Sequence, residues 1–150
     1  MKPAKFSGIA EAENKGELYS TFMKTNGHEL VADELQDFGG KNLGPSPGDY
    51  LCMSLASCKV ITLRMYIQRK QWKVDTIHVK VNLVTGNHLA SGVNTFYCEI
   101  TVPGDINADQ QKRLEEIAKV CPISRLLGKQ NEVITMIRNK ENSVISEDPV

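Results

Sequence analysis

The sequence lacks an excess of charge of either sign, because 18 Lys and Arg residues balance 18 Asp and Glu residues and leave a net charge of zero. Proteins that bind nucleic acid usually carry a basic face, so the balance argues against a nucleic-acid partner. The sequence also lacks internal repeats and low-complexity segments. Its 150 residues, 41% hydrophobic and 24% charged, are typical of a single soluble domain over residues 1–150.

Long uninterrupted apolar runs are missing as well. The first 18 residues contain no apolar core of signal-peptide length, and the apolar segment over residues 50–67 is interrupted by Lys59 and Arg64. Such a segment is a poor membrane span. We therefore expect a cytoplasmic protein with no membrane association, in which the four cysteines rest as thiols.

Several site motifs are absent too. The sequence has no Cys-x-x-Cys pair and no Cys/His spacing suited to zinc, and its three histidines fall on predicted loops and strand faces. It has no glycine-rich phosphate loop and no serine-nucleophile motif. We therefore expect neither a metal nor a bound cofactor. The four cysteines carry the remaining chemical information.

Apolar periodicity and turn residues predict a mixture of helices and antiparallel strands. The Asn26-Gly27 pair predicts a tight hairpin that brings Phe22 and Leu30 to one face. The predicted elements are N-terminal strands over about 6–33, a long helix over about 47–71, strands over about 75–103, a second helix over about 107–121 and a C-terminal strand over about 132–139.

The long helix begins with the signature of a capping box, with Ser46 as N-cap, Pro47 in the first turn and Asp49 as the acid. Beyond that start it is apolar on almost every side, apart from a narrow stripe that includes Ser57 and Arg64. A helix of this kind must be covered on most sides. One thin sheet from the same chain covers too little of it, so we expect a second subunit.

Two cysteines lie on inward helix faces. Cys58 is flanked one turn away on either side by Ser54 and Thr62, and from this local sequence a structural thiol is better supported than a reactive one. Lys59 points away from Cys58 and could equally extend to solvent.

Cys121 directly precedes Pro122, which breaks or restarts the second helix. If a helix restarts there, its first N–H groups favour a Cys121 thiolate, although simple core packing stays open for this residue. Cys52 and Cys98 are expected to be core residues.

Two segments resemble the signatures of a known family. Residues 39–72 read GGKNLGPSPGDYLCMSLASCKVITLRMYIQRKQW and residues 120–127 read VCPISRLL. The first is similar to the segment of the OsmC/Ohr family of osmotically induced and organic-hydroperoxide-resistance proteins in which a proline and an acid open a long cysteine-bearing helix. The second is similar to its Val-Cys-Pro stretch. The resemblance covers nearly the whole chain and is greatest to the OsmC-like branch.

The resemblance implies an α+β fold in which two subunits intertwine, with long buried central helices wrapped by antiparallel sheets. It also implies that Cys58 and Cys121 meet at the homodimer interface and act as a thiol peroxidase. Cys58 would be the peroxidatic cysteine and Cys121 the resolving cysteine. The implied substrates are organic hydroperoxides and the implied reductant is an external dithiol, for example one of the lipoyl type, with no cofactor.

The chain departs from the family pattern around the thiol. Family members use an N-terminal arginine and a glutamate just after the loop proline, whereas here no arginine precedes Arg64 and Gly48 follows Pro47. Asp49 stands where the OsmC-like branch carries its acid, so it is either a catalytic residue or only the helix-capping acid. Three residues are candidates for the cation that would replace the missing arginine beside the thiol: Lys59, Lys24 and Arg125.

These departures leave a second function open, namely a redox-sensing or small-ligand-binding dimer that does not turn over. A thioesterase-like hydrolase is a third possibility, because a central helix wrapped by a sheet also describes hot-dog folds. No suitable general base supports the hydrolase.

Overall fold

The computed structural model describes residues 8–138 and 147–149, which form an α+β structure. Residues 6 and 7 of the predicted first strand and residue 139 of the predicted last strand lie outside the described residues. The strands are β1 (Glu11–Glu13), β2 (Thr21–Thr25), β3 (His28–Ala32), β4 (His78–Val84), β5 (Thr95–Thr101), β6 (Ile134–Met136) and β7 (Glu147–Pro149). The helices are α1 (Pro47–Arg69), α2 (Ala108–Lys119) and α3 (Pro122–Leu127).

An antiparallel sheet of order β1-β2-β3 forms the N-terminal part of the chain. Thr25 lies opposite His28, and the two residues between them, Asn26 and Gly27, both have positive φ angles, of 43° and 81°. Two central residues with φ above zero are what a type I′ hairpin turn requires, and Asn-Gly meets that requirement at little steric cost. The predicted hairpin is confirmed.

The faces of this hairpin differ from the prediction. Phe22 lies opposite Val31, and Leu30 lies opposite Met23. Residues directly opposite each other share a face, and adjacent residues of a strand alternate, so Phe22 and Leu30 lie on opposite faces of the sheet. Both side chains are exposed within the chain. The sheet therefore presents apolar groups on both sides.

Asp33 holds the loop that leads from this sheet into α1. Its carboxylate accepts backbone N–H groups of Glu34 at 2.8 Å, Lys41 at 3.3 Å and Leu43 at 3.1 Å. Burial opposes ionisation of this carboxyl, but these hydrogen bonds and the charge of Lys41 outweigh it and lower the pKa of Asp33. The loop is thereby fixed where it delivers the chain to the start of α1.

The core forms on one face of α1. Leu63 and Ile67 are fully buried in a cluster with Tyr66 and with Leu114 and Ala118 of α2. The antiparallel β4-β5 sheet packs beside it, and β4, α2 and α3 all contact α1. The rest of α1 stays open, because Ile61 and Met65 are 59% and 64% exposed. One chain thus covers only one side of its central helix.

The final strand is shorter than predicted. β6 spans Ile134–Met136 and pairs with β7 at Glu147–Pro149, a partner that the sequence pattern did not predict. Three residues contain too few alternating positions for a period-two pattern to identify a strand.

Candidate functional site

Two helices bring Cys58 and Cys121 together. Cys58 lies in the middle of α1 and Cys121 at the start of α3, and the Cys58 thiol is near enough to Cys121 to be one of the groups that lower the pKa of Cys121. Cys121 is fully buried, with 0% of its surface exposed, whereas Cys58 is half-buried. The pair therefore has one sulfur at the edge of the core and one inside it.

The sequence around Pro122 determines the position of Cys121. The chain leaves α2 after Lys119 and starts α3 at Pro122, with Cys121 as the N-cap residue. The Cys121 Sγ accepts the backbone N–H of Ser124 at 3.4 Å and lies 3.1 Å from the Ser124 Oγ, to which it is hydrogen-bonded. The prediction that a helix restarts at Pro122 is confirmed.

Lys59 lies inside the protein beside this pair, so of the two alternatives that the sequence left open, the one in which it extends to solvent is wrong. Only 6% of its surface is exposed. Its Nζ donates to the carbonyl oxygen of Ala118 at 2.8 Å and to the Oγ of Ser124 at 2.9 Å. The ammonium is thus connected to the Cys121 sulfur by two successive hydrogen bonds, through the Ser124 hydroxyl.

The other two candidate cations lie elsewhere. Lys24 is on β2 and forms an exposed ion pair with Glu29 at 3.6 Å. Arg125 is exposed in α3. Of the three candidates, Lys59 is the one whose charge acts on the thiols.

The electrostatics of the site favour a charged Cys121. Burial alone would raise the pKa of this thiol, but hydrogen bonds from the side chain and backbone of Ser124 and from Cys58, together with the charge of Lys59, lower it below the ordinary value. A hydroxyl held by an ammonium has its own proton free to donate, so Ser124 can donate to the Cys121 thiolate. These contacts are the usual requirements for a reactive cysteine.

Cys98 and Cys52 complete a wider group of thiols. Cys98 lies on β5 and is exposed within the chain, in contrast to its predicted place in the core. Desolvation raises its pKa against the opposing charge of Lys59, and the charges of Cys121 and Cys52 raise it further. Cys98 therefore stays neutral where Cys121 ionises.

Asp49 caps α1. Its carboxylate accepts the backbone N–H of Ser46 at 3.0 Å and the Ser46 hydroxyl at 2.7 Å, while the Ser46 Oγ accepts the Asp49 N–H at 3.2 Å. The Ser46 hydroxyl and backbone lower the pKa of Asp49. Nine residues separate Asp49 from Cys58, roughly 13 Å along the helix. The chain does not bring Asp49 to the thiol pair, and its catalytic part stays a prediction.

Replacing Asp49 with Asn should reduce the free energy of unfolding by about 0.3–1 kcal/mol, because a negative charge at the helix N-terminus is lost. The folded-state pKa is lowered, so this contribution exists above the unfolded-state pKa and disappears as the pH falls through the folded-state pKa. Urea unfolding at pH 7 and at acidic pH measures both effects. A loss of peroxide consumption larger than the loss of folded protein would instead show that Asp49 takes part in catalysis.

Sequence reasoning missed Ser124 and did not select Lys59. Signals for both exist in the sequence. Lys59 lies four residues from both Leu55 and Leu63, which places it on the buried face of α1. Ser124 is three residues after Cys121, at the N3 position of a helix that begins at Pro122. What joins these residues is the packing of α3 against α1, which neither local pattern contains.

Comparisons with known proteins agree with this fold. A family model described as OsmC-like protein matches residues 39–136, more than half of the chain. No curated protein matches the chain in sequence.

Three solved structures give the structural comparison. A protein from Psychrobacter arcticus, described as a candidate osmotic stress induced and detoxification response protein, is 22% identical, with a TM-score of 0.66 over 82% of this chain and 91% of that one. The organic hydroperoxide resistance protein OsmC of Legionella pneumophila is 18% identical, with a TM-score of 0.60 over 83% and 91%. The organic hydroperoxide resistance protein OhrB of Bacillus subtilis is 16% identical, with a TM-score of 0.56 over 82% and 91%. At these identities the likeness is one of fold.

Proposed function

The chain belongs to the OsmC-like protein family, and on that premise we propose that it reduces organic hydroperoxides through Cys58 and Cys121. The observation that carries the proposal is that the packing of α3 against α1 brings these two thiols, which come from positions far apart in the sequence, close enough for Cys58 to act on the pKa of Cys121. A peroxidase that cycles through an intramolecular disulfide needs two neighbouring thiols. The names of the Legionella and Bacillus proteins support the same substrate class.

The proposed reaction has three steps. The sulfur of Cys58 attacks the outer oxygen of the hydroperoxide, so that an S–O bond forms, the O–O bond breaks, an alcohol leaves and Cys58 becomes a sulfenic acid. The sulfur of Cys121 then attacks that of Cys58, forming the disulfide and releasing water. An external dithiol, for example one of the lipoyl type, reopens the disulfide by exchange. Since the pair must return to thiols, the proposal places the protein in the reducing cytoplasm.

A homodimer belongs to the proposal because the side of α1 that carries Cys58 is uncovered. Leu51, Ile61 and Met65 share that side at helical spacing and are exposed within the chain. A second copy laid over this side would bury them and enclose Cys58 in an apolar pocket. Such a pocket suits an alkyl hydroperoxide better than hydrogen peroxide.

A groove beside the start of α1 also needs a cover. It has a volume of about 810 Å³, and its lining includes Phe22 and Val31, which share one face of the β1-β2-β3 sheet, and Met53 of α1. An apolar patch of this kind on a small protein usually marks an interaction surface. A second copy would cover this groove together with the open side of α1.

By length and composition α1 also suits a membrane span, as many core helices of soluble proteins do. Two cationic side chains of α1, Lys59 and Arg64, indicate that the helix is surrounded by protein and not by lipid. Lys59 is bound at Ala118 and Ser124, and Arg64 donates to the backbone carbonyls that follow the helix at Val74 and Asp75. A helix whose two cationic side chains are hydrogen-bonded to other parts of its own chain belongs to the protein core.

The test is mass spectrometry of the protein under non-reducing conditions after addition of one equivalent of cumene hydroperoxide. We expect rapid conversion to a species with a Cys58–Cys121 disulfide, identified by peptide mapping. Hydrogen peroxide at the same concentration should convert the protein more slowly. A Cys52→Ser variant is the matched control, since Cys52 is a half-buried thiol of the same helix, and it should form the same disulfide.

If both thiols stay reduced with cumene hydroperoxide, the peroxidase proposal fails. The protein would then be a ligand-binding or thiol-sensing dimer of the same fold.

A further inference from the structure

In the thiol pair, the sulfur that is stabilised as a thiolate is not the sulfur that a substrate can reach. Cys121, with none of its surface exposed, cannot meet a bulky hydroperoxide, whereas Cys58 is half-buried on the open side of α1. Yet the buried ammonium and the Ser124 hydroxyl and N–H are all arranged around Cys121. The sulfur that reaches the substrate is not the one that these groups stabilise as an anion.

The connection between Lys59 and Cys121 is continuous. Lys59 Nζ donates to Ser124 Oγ at 2.9 Å, and Ser124 Oγ lies 3.1 Å from Cys121 Sγ; we call this chain the cationic relay. The Ala118 carbonyl, which accepts from the same Nζ at 2.8 Å, fixes the ammonium in place. The buried side-chain polar atoms of the described residues all have hydrogen-bond partners. The relay is thus a satisfied arrangement in which Lys59 and Cys121 are buried and Ser124 is half-buried.

We propose that the cationic relay holds the resting negative charge on Cys121, and that this thiolate is the base that removes the proton of Cys58 when Cys58 attacks the hydroperoxide. Lys59 and Ser124 are positioning residues that act through Cys121. The inference rests on the proposed function for its substrate. It assigns to Cys121 a role before disulfide formation as well as during it.

The protons and electrons of this sequence balance. The Cys58 proton passes to the neighbouring Cys121 sulfur as the S–O bond forms and the O–O bond breaks, and the departing alkoxide takes that proton and leaves as an alcohol. Cys121, again a thiolate, attacks the Cys58 sulfur, and the displaced hydroxide is protonated by solvent to water. The two thiols together lose two electrons, which the peroxide bond accepts.

Other titratable groups face Cys121 from the packed elements. Cys58 and Lys59 come from α1, and Cys98 comes from β5. Cys98 keeps its proton over the range in which Cys121 ionises, because desolvation and the Cys121 charge both raise the pKa of Cys98. Removal of Lys59 takes away the positive charge that acts on both Cys121 and Cys98.

The test is a pH titration of the thiolate by its ultraviolet absorbance, taken as the difference between each protein and the same protein carrying Cys121→Ser. Lys59→Met should raise the ionisation midpoint of Cys121 by roughly 1–3 pH units, since an opposite charge at this range lowers a pKa by that amount. Lys59→Arg should restore most of the shift. Ser124→Ala keeps the charge of Lys59 and removes the hydroxyl, and should also raise the midpoint.

The rate of cumene hydroperoxide reaction gives the second readout. In Lys59→Met the pH–rate profile should shift to higher pH by the same number of pH units as the ionisation midpoint of Cys121. Activity should therefore return at higher pH. An unchanged titration midpoint in folded Lys59→Met and Ser124→Ala, or a rate lowered equally at every pH, would overturn the relay. The titration uses no peroxide, so it separates failure of the relay from failure of the peroxidase function.

Discussion

Replacing Cys58 with Ser is expected to reduce the rate of organic hydroperoxide consumption to that seen without protein. The hydroxyl of serine is a far poorer nucleophile toward a peroxide oxygen than a thiol is. None of the other three cysteines takes the place of Cys58 on the open side of α1. Loss of a nucleophile typically costs on the order of a thousandfold or more in rate. Consumption of cumene hydroperoxide in the presence of dithiol, followed over time, measures the effect.

Cys52→Ser is the control, because it makes the same chemical change in a half-buried thiol of the same helix. It should keep the wild-type rate, and thermal unfolding of both variants shows whether they are folded. A Cys58→Ser protein that still consumes hydroperoxide would contradict the assignment. If Cys121→Ser loses the activity that Cys58→Ser keeps, Cys121 is the nucleophile.

Much of the local structure could be predicted from sequence, because it rests on short-range chemistry. The capping boxes at Ser46 and Asn107 and the Asn-Gly turn each involve residues within three positions of one another. The α3 start at Pro122 belongs to the same class, since proline fits the first turn of a helix and ends the preceding one. These features depend little on the rest of the fold.

The surroundings of the candidate site were harder to predict, because they depend on tertiary packing. Lys59 and Ser124 are 65 residues apart, and a lysine next to an apolar helix face extends to solvent more often than it enters the core. Only the placement of α3 against α1 shows that the ammonium has two acceptors inside. The approach of Cys121 to Cys58 was implied by family resemblance and not by any spacing in the chain.

Composition and periodicity predicted that a second subunit is needed, but they could not predict which side of α1 it covers. An almost wholly apolar helix indicates that other elements must pack against it, but its sequence does not show which element packs against which face. The structure divides the helix into a face buried by the chain, with Leu55 and Leu63, and a face left open, with Ile61 and Met65. Cys58 lies on the open side, so the proposed active site and the proposed subunit interface coincide.

Replacing Leu63 with Ala is expected to lower the free energy of unfolding by about 2–5 kcal/mol, because the side chain is fully buried against α2 and its removal leaves a cavity. Urea unfolding followed by circular dichroism measures this loss. The loss should be present at every protein concentration, since the contacts of Leu63 lie within one chain. A value below about 1 kcal/mol would mean that the core around Leu63 is not packed as described.

Ile61→Ala is the matched change on the other face of the same helix. Within one chain Ile61 is 59% exposed, and substitutions at such positions usually change stability by no more than about 0.5 kcal/mol. If a second copy covers this face, Ile61→Ala instead weakens association, and the unfolding midpoint falls most steeply at low protein concentration. Sedimentation of both variants distinguishes the cases: Leu63→Ala should remain dimeric while folded, and Ile61→Ala should dissociate at higher concentration than the wild type. A wild-type protein that stays monomeric and folded would remove the proposed interface and, with it, the apolar enclosure of Cys58.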